Sequence, residues 1–182
     1  MPTVISSDDT DGVPLGGVIV EALVLPGVNV TSDSVGIFST TLERASFDLT
    51  IAGFVYGTFA GVRLGGTLNP AQTAVLTVTE TGTVLGASPF SKQIFIFADE
   101  IAVFNAGTTD GQLLVGSDIS VVNSGLISGA GTVLLAEGET ESSPFAFGYR
   151  GNHDIVNTGQ ILSTYPRSWQ KDDAVPPAVQ AS

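Results

Sequence analysis

A short alternation of apolar and polar residues recurs along the chain and passes each time through a glycine. In its clearest copies an aliphatic residue is followed two positions later by Asn, and Gly comes two positions after that Asn. The clear copies are residues 103–111, 121–129 and 155–163, and looser copies are residues 78–86 and 49–57. Because alternate residues of a strand face the same side, this pattern predicts two short strands joined by a bend.

We expect the bends to lie at the polar residue and the glycine of each clear copy. Asn tolerates a left-handed backbone, and the glycine removes the steric cost of a tight corner. The predicted structural bend residues are Asn105, Gly107, Asn123, Gly125, Asn157 and Gly159. Aliphatic residues of the same parity are predicted to point inward and to stack in neighbouring coils; they are Val121, Ile127, Ile155 and Ile161.

Strand, bend, strand and variable loop, repeated, predict an all-β fold of the parallel β-solenoid (β-helix) type. One coil cannot bury its inner face alone, but stacked coils share an apolar core and a row of asparagines. The alternative is an antiparallel β-sandwich or barrel, in which short strands and glycine turns are equally common. Spaced copies of one pattern favour the solenoid, since a sandwich does not require them.

The chain divides into three regions. Residues 1–16 form an N-terminal arm or cap, residues 17–163 the solenoid domain, and residues 164–182 a C-terminal arm that contains prolines and the only Trp. An open solenoid exposes strand edges that would pair with other chains unless they are capped. The two ends therefore are predicted to cap the stack or to dock onto a neighbouring subunit.

The C-terminal arm carries the predicted partner-binding residues, which are Tyr165, Arg167, Trp169 and Lys171. Trp is a frequent interface anchor, and scarce positive charge beside it complements an acidic neighbouring copy. The alternative is that this arm folds back as a cap on its own last coil.

Residues 121–135, with their run Val-Val-Asn-Ser-Gly-Leu-Ile-Ser-Gly, carry a resemblance to known families. They are similar to the passenger repeats of autotransporters and filamentous adhesins, and to the solenoid parts of RTX-like bacterial calcium-binding proteins. The likeness covers about residues 47–163 and implies a solenoid at the cell surface or in an extracellular matrix. The chain has no Gly-Gly-x-Gly-x-Asp nonapeptide, so the calcium-binding function of the RTX-like proteins does not carry over.

Composition narrows the range of partners. Of the 182 residues, 43% are hydrophobic. The chain has 6 Lys and Arg residues and 18 Asp and Glu residues, which gives a net charge of -12. Nucleic acids and anionic membrane surfaces are bound through clustered basic residues, so neither is predicted as a partner. The longest apolar run, residues 16–26, contains Glu21 and is too short to insert across a membrane. With no cysteine, disulfides and cysteine-based zinc or catalytic sites are excluded.

Candidate chemistry is sparse, and we predict that the chain is not an enzyme. The only histidine, His153, lies beside Asp154, but neighbours in a strand face opposite sides and no Gly-x-Ser-x-Gly elbow is present. No cofactor is predicted. Glu137, Glu139 and Glu141 share one face if extended; we expect a solvated loop, with a weak divalent-cation site as the alternative.

These observations predict a non-enzymatic structural or assembly protein that works as a homo-oligomer. The first hypothesis is a virion component, such as a phage or gene-transfer-agent capsid decoration, cement or head-fibre protein that binds neighbours through its terminal arms. Its acidic start, where a signal peptide carries bases, favours this location. The alternative is a secreted RTX-like or adhesin-type protein of the cell surface or matrix. The predicted partners are other copies of the chain and a larger assembly, a capsid or a cell surface.

Overall fold

The computed structural model describes residues 2–40, 44–66, 70–87, 94–129, 132–135 and 153–163, and all structural statements concern these residues. Within them the chain forms strands and no helix. The strands are β1 (Thr3–Ile5), β2 (Val13–Leu15), β3 (Ile19–Val24), β4 (Asn29–Val30), β5 (Val35–Ser39), β6 (Ser46–Ile51), β7 (Phe54–Gly57), β8 (Ala60–Leu64), β9 (Ala71–Val78), β10 (Thr83–Gly86), β11 (Ile94–Asn105), β12 (Thr108–Thr109), β13 (Gln112–Val115), β14 (Asp118–Asn123), β15 (Leu126–Gly129), β16 (Thr132–Leu135), β17 (His153–Asn157) and β18 (Gln160–Ser163).

The strands pair in three parallel ladders. The first ladder runs β1, β3, β6, β9, β11, β14, β17; the second runs β4, β7, β10, β12, β15, β18; the third runs β2, β5, β8, β11, β13, β16. The long β11 belongs to two ladders, which it joins into one curled twelve-stranded sheet. The all-β prediction is confirmed. The antiparallel pairing of the alternative fold is wrong, because every ladder in the described chain is parallel.

The chain visits the three ladders in the same order each time. One visit, for example β6, β7 and β8, forms what we call a layer, and the next layer adds one strand to each ladder. Parallel strands in fixed register place equivalent residues of successive layers side by side. Side chains therefore form rows that run across the layers, and each row faces either inward or outward.

The core consists of the inward rows, which are built mainly from Val, Ile and Leu. One such row runs along the corner between the first two ladders: Ile5, Val24, Ile51, Val78, Asn105, Asn123, Asn157. Its first six members are at most 8% exposed. β-branched residues suit these half-buried strands, and β3 shows the expected alternation of exposed and buried positions.

Two of the four predicted inward aliphatic residues lie at the open edge of the structure. Val121 and Ile127 are 2% and 0% exposed. Their row partners Ile155 and Ile161 stack on them in register, as predicted, but are 40% and 44% exposed, so only the first two of the four are buried. β17 and β18 are the last strands of their ladders in the described chain, and a row has no next layer to cover its final member.

Gly107 and Gly125 lie in bends between strands. The reason that glycine is needed there is not a left-handed backbone. Gly107 and Gly125 each sit in a two-residue connection between strands of the first and second ladders. Neither has a positive φ; among described residues that conformation occurs at Gly12, Gly17, Gly27, Gly65 and Gly129. A Cβ added at Gly125 would instead overlap the carbonyl oxygen of Gly107 in the preceding layer. The bends stack too closely for a side chain.

We predict that Gly125→Val destabilises the protein severely. Overlap with a fixed backbone carbonyl should lower the free energy of unfolding by more than the roughly 1–3 kcal/mol of ordinary overpacking. The control is Gly66→Val, since a Cβ at Gly66 meets no atom within 4 Å and its φ is not positive. Urea unfolding followed by circular dichroism measures both variants, and equal stabilities would contradict the close approach of the bends.

Candidate assembly interface

Three asparagines form an internal chain of side-chain hydrogen bonds at the corner between the first two ladders. Asn105 Nδ2 donates to Asn123 Oδ1 at 2.7 Å, and Asn123 Nδ2 donates to Asn157 Oδ1 at 2.7 Å. Asn105 and Asn123 are 2% and 1% exposed. Because these amides are buried beside each other in register, each bond joins one layer to the next in a low-dielectric interior.

This amide row has a beginning and a direction. Asn105 follows Val78 in the row, and its Oδ1 is buried with no hydrogen-bond partner in the described chain. Each Nδ2 then points toward the later layer. Asn157 is the last member, and its Nδ2 reaches the carbonyl oxygen of Gly159 in its own bend at 3.4 Å. The row therefore ends in an amide donor at the last described layer.

The backbone of the bends repeats the same directional pattern. The Asn105 carbonyl accepts the N–H groups of Ser124 and Gly125 at 2.8 and 3.1 Å. One layer later, the Asn123 carbonyl accepts those of Thr158 and Gly159 at the same two distances. The carbonyls of Asn157 and Gly159 thus occupy positions whose equivalents bind the N–H groups of a following layer. The last bend presents a template for further backbone hydrogen bonds.

Apolar side chains surround this template, and we call the surface formed by β17 and β18 the open end. Its inward members are Ile155 and Ile161, which are 40% and 44% exposed. On the opposite face of the same strands, Val156 and Leu162 are 46% and 52% exposed. The open end thus combines half-exposed isoleucines that continue a core row with strand edges that no other described strand extends, and exposed strand edges and apolar patches are common at binding surfaces.

The other end of the stack is closed. Ile5 and Leu15 lie in the first strands of their ladders but are only 8% and 3% exposed. The loop between these strands binds β4: Asp8 Oδ1 accepts the Asn29 N–H at 2.8 Å, and Asp9 exchanges backbone hydrogen bonds with Asn29 and Thr31. Residues 2–16 therefore form the first layer, which pairs with β3, β4 and β5. The predicted boundary at residue 16 stays a prediction.

An acidic groove lies on the outward face of the first ladder. It has a volume of about 590 Å³, and Glu100, Asp118 and Asp154 line it beside the small side chains of Ala102 and Ser120. These carboxylates come from three successive strands of one ladder, so in-register pairing brings them to one face. The described residues contain no group of three or more His, Cys, Asp or Glu side chains able to hold a metal ion.

The structure describes some of the predicted site residues and not others. Asn105, Asn123 and Asn157 end their strands of the first ladder, and the glycine of each copy follows in the bend. Tyr165, Arg167, Trp169 and Lys171 lie outside the described residues, as do Glu137, Glu139 and Glu141. The partner-binding and cation predictions therefore stay predictions. His153 begins β17, and Asp154 faces the groove.

The pattern missed several buried polar residues. Thr109 and Gln112 are fully buried, and Gln112 Nε2 donates to Thr109 Oγ1 at 3.4 Å. Thr109 has the parity of Asn105 and Gly107, so its inward position was available from the copy at residues 103–111. Gln112 has no such signal, because its place in the third ladder depends on the intervening turn.

Comparisons with models of known protein families, with curated proteins and with solved structures found no match for this chain. A separate search of the described residues for membrane-spanning helices found none of sufficient length and apolar character.

We predict that Asn123→Asp makes stability pH-dependent. The carboxylate would sit between two amides with its new oxygen facing Asn157 Oδ1, so burial and repulsion should raise its pKa in the folded state. Below the unfolded pKa of about 3.9 the group is neutral in both states. Stability then falls as pH rises from that value through the raised folded pKa, by several kcal/mol in all.

The matched control is Asn123→Leu, which removes the same hydrogen bonds without adding a charge. It should cost about 1–3 kcal/mol for each buried amide group left unpaired and show no added pH dependence. Urea midpoints measured from acid to neutral pH separate the two variants. Parallel pH profiles for the aspartate and leucine variants would contradict the buried amide row.

Proposed function

We propose that the chain is a parallel β-solenoid that serves as a non-enzymatic structural and assembly protein. Two features support the solenoid. The chain visits three parallel ladders in constant order, and each row of inward side chains runs across successive layers. Stacks of this kind are rigid because every interior layer is hydrogen-bonded on both sides.

The observation that carries the assembly role is the contrast between the two ends. The inward residues Ile5 and Leu15 of the first layer are at most 8% exposed, whereas the last described layer leaves Ile155, Ile161 and the Asn157 amide accessible. A surface with these properties favours binding of a protein segment. The C-terminal residues 164–182, with Trp169 and the basic Arg167 and Lys171, offer anchors for contact with a neighbouring copy.

The setting we propose is a virion, in which the chain decorates, cements or extends a capsid together with other copies of itself. A small acidic body that binds neighbours through a terminal arm fits such a role. The alternative is a secreted adhesin-like or RTX-like protein of the cell surface or matrix. It draws support from the in-register asparagine row, which belongs to the same repeat that resembles autotransporter and adhesin passengers.

We predict that Trp169→Ala weakens self-association of the full chain. Loss of a central interface anchor costs about 2 kcal/mol, which corresponds to roughly a thirtyfold rise in the dissociation constant. Light scattering over a concentration series measures it. The control is Phe59→Ala, since Phe59 is an aromatic residue that is 52% exposed but lies outside the terminal arms. A wild-type chain that stays monomeric at every concentration would contradict the assembly role.

We also predict that folding does not depend on calcium, because the chain lacks the nonapeptide that binds it in RTX-like proteins. Circular dichroism spectra and melting curves should coincide with excess chelator and with added calcium. A transition from coil to β-structure on adding calcium would instead favour the secreted RTX-like alternative. Magnesium at the same ionic strength controls for general screening of the net charge of -12.

A further inference from the structure

We infer that residues 164–182 bind the open end formed by β17 and β18. This goes beyond the proposed function by naming the receptor surface on the stack. The proposed function bears on this inference in one respect: it requires that the segment come from a neighbouring copy and not from the same chain.

The open end has the chemistry of an unfinished layer. Ile155 and Ile161 continue inward rows whose preceding members, Val121 and Ile127, are 2% and 0% exposed. In the preceding layer, Asn123 Nδ2 bonds to Asn157 Oδ1 and reaches the Gln160 carbonyl oxygen. Asn157 Nδ2 has the equivalent position at the open end, where an incoming carbonyl or amide oxygen would complete its hydrogen bonds. A suitable occupant therefore offers apolar side chains and hydrogen-bond acceptors.

The closed end of another copy does not meet this description. Its inward residues Ile5 and Leu15 are already buried, and the loop between their strands carries Asp8 and Asp9. The corner row there ends in Ile5, which has no side-chain acceptor for the Asn157 amide. Stacking copies head to tail would bury an unpaired amide and carboxylates, which is costly.

Residues 164–182 have the properties that the open end requires of an occupant. The segment starts directly after β18, which ends at Ser163. The shortest step along the corner row, from Asn105 to Asn123, takes 18 residues, so the remaining chain is long enough to cross one layer. The segment contains Tyr165 and Trp169 as apolar groups and the amides of Gln170 and Gln180 as acceptors.

Proline and charge make the segment a terminator of the stack. Pro166, Pro176 and Pro177 lack a backbone N–H, so the outer side of this segment is a poor template for a further strand. Arg167 and Lys171 flank Trp169, and Asp172 and Asp173 follow them, so the side chains of this segment carry no net charge. β17 carries the exposed Asp154 beside the acidic groove. A segment without net charge, with its two basic residues beside Trp169, is repelled less by this acidic surface than a second copy with a net charge of -12 would be.

Trp169 is the only tryptophan, so its fluorescence in the full-length protein reports on this segment alone. Matched pairs of substitutions test the surface. Ile155→Asp and Ile161→Asp place a charge on the inward side of the open end, whereas Val156→Asp and Leu162→Asp place it on the outward side of the same strands at similar exposure. The inward variants should shift Trp169 emission to the red and remove its protection from acrylamide quenching. The outward variants should match the wild type.

Photo-cross-linking provides a second measurement that needs no change at the open end. The chain has no cysteine, so a benzophenone attached to Gln170→Cys is unique. Mass spectrometry should locate its adducts within residues 153–163. Adducts confined to other regions would overturn the inference, as would equal effects of inward and outward variants or a wild-type Trp169 as quenchable as in urea. Circular dichroism identifies any variant that fails to fold, and the cross-linking result then decides.

Mixing the labelled chain with an isotopically heavy, unlabelled chain separates this inference from the proposed function. An adduct between chains at residues 153–163 supports both. An adduct within one chain at the same residues supports the receptor surface and contradicts docking between copies. Adducts elsewhere on a neighbouring copy support assembly and overturn the receptor surface.

Discussion

In-register parallel pairing is the constraint on which this structure depends. It places the bend of one layer directly on the bend of the next, so the Asn105 carbonyl receives two N–H groups from the following bend. At that separation no Cβ fits at Gly125. The same register aligns every inward residue into a row, which makes the core continuous and makes the identity of one side chain depend on its neighbours in the adjacent layers.

A stack built in this way has interior layers that stabilise each other and two ends that do not. Burying a Val or Ile side chain contributes about 1.5–3 kcal/mol, so an uncovered inward row at an end loses part of that amount. At the beginning of the chain the inward residues Ile5 and Leu15 are at most 8% exposed, and Asp8 and Asp9 of the loop between their strands bind β4. At the other end, Ile155 and Ile161 are 40% and 44% exposed. The exposed inward residues of the described chain therefore lie at its end and not in its interior.

Much of the later half of the fold could be predicted from sequence because polar residues mark the rows. Asn105, Asn123 and Asn157 stand out against apolar neighbours, and their spacing reveals equivalent positions. Val24 and Ile51 occupy the same row, but one aliphatic residue resembles another and their register is hidden. The sequence did not predict the exposure of Ile155, because a local pattern does not show which copy is the last in the stack. The close approach at Gly125 was missed because it depends on a residue in another layer.

At one layer the inward rows change from apolar to polar residues. From the layer that begins with β9 to the next one, Val78 is replaced in its row by Asn105, Val84 by Thr109, and Ile94 by Gln112. Asn105 Oδ1 and Gln112 Oε1 are buried there without partners in the described chain, at a cost of about 1–3 kcal/mol each. An apolar row accepts a slip of two residues because parity is kept. A row of paired amides does not, because a slip would leave each buried amide unsatisfied. The paired amides thus favour one register for β11, β14 and β17, and the unpaired oxygens where the polar row begins are the cost in stability.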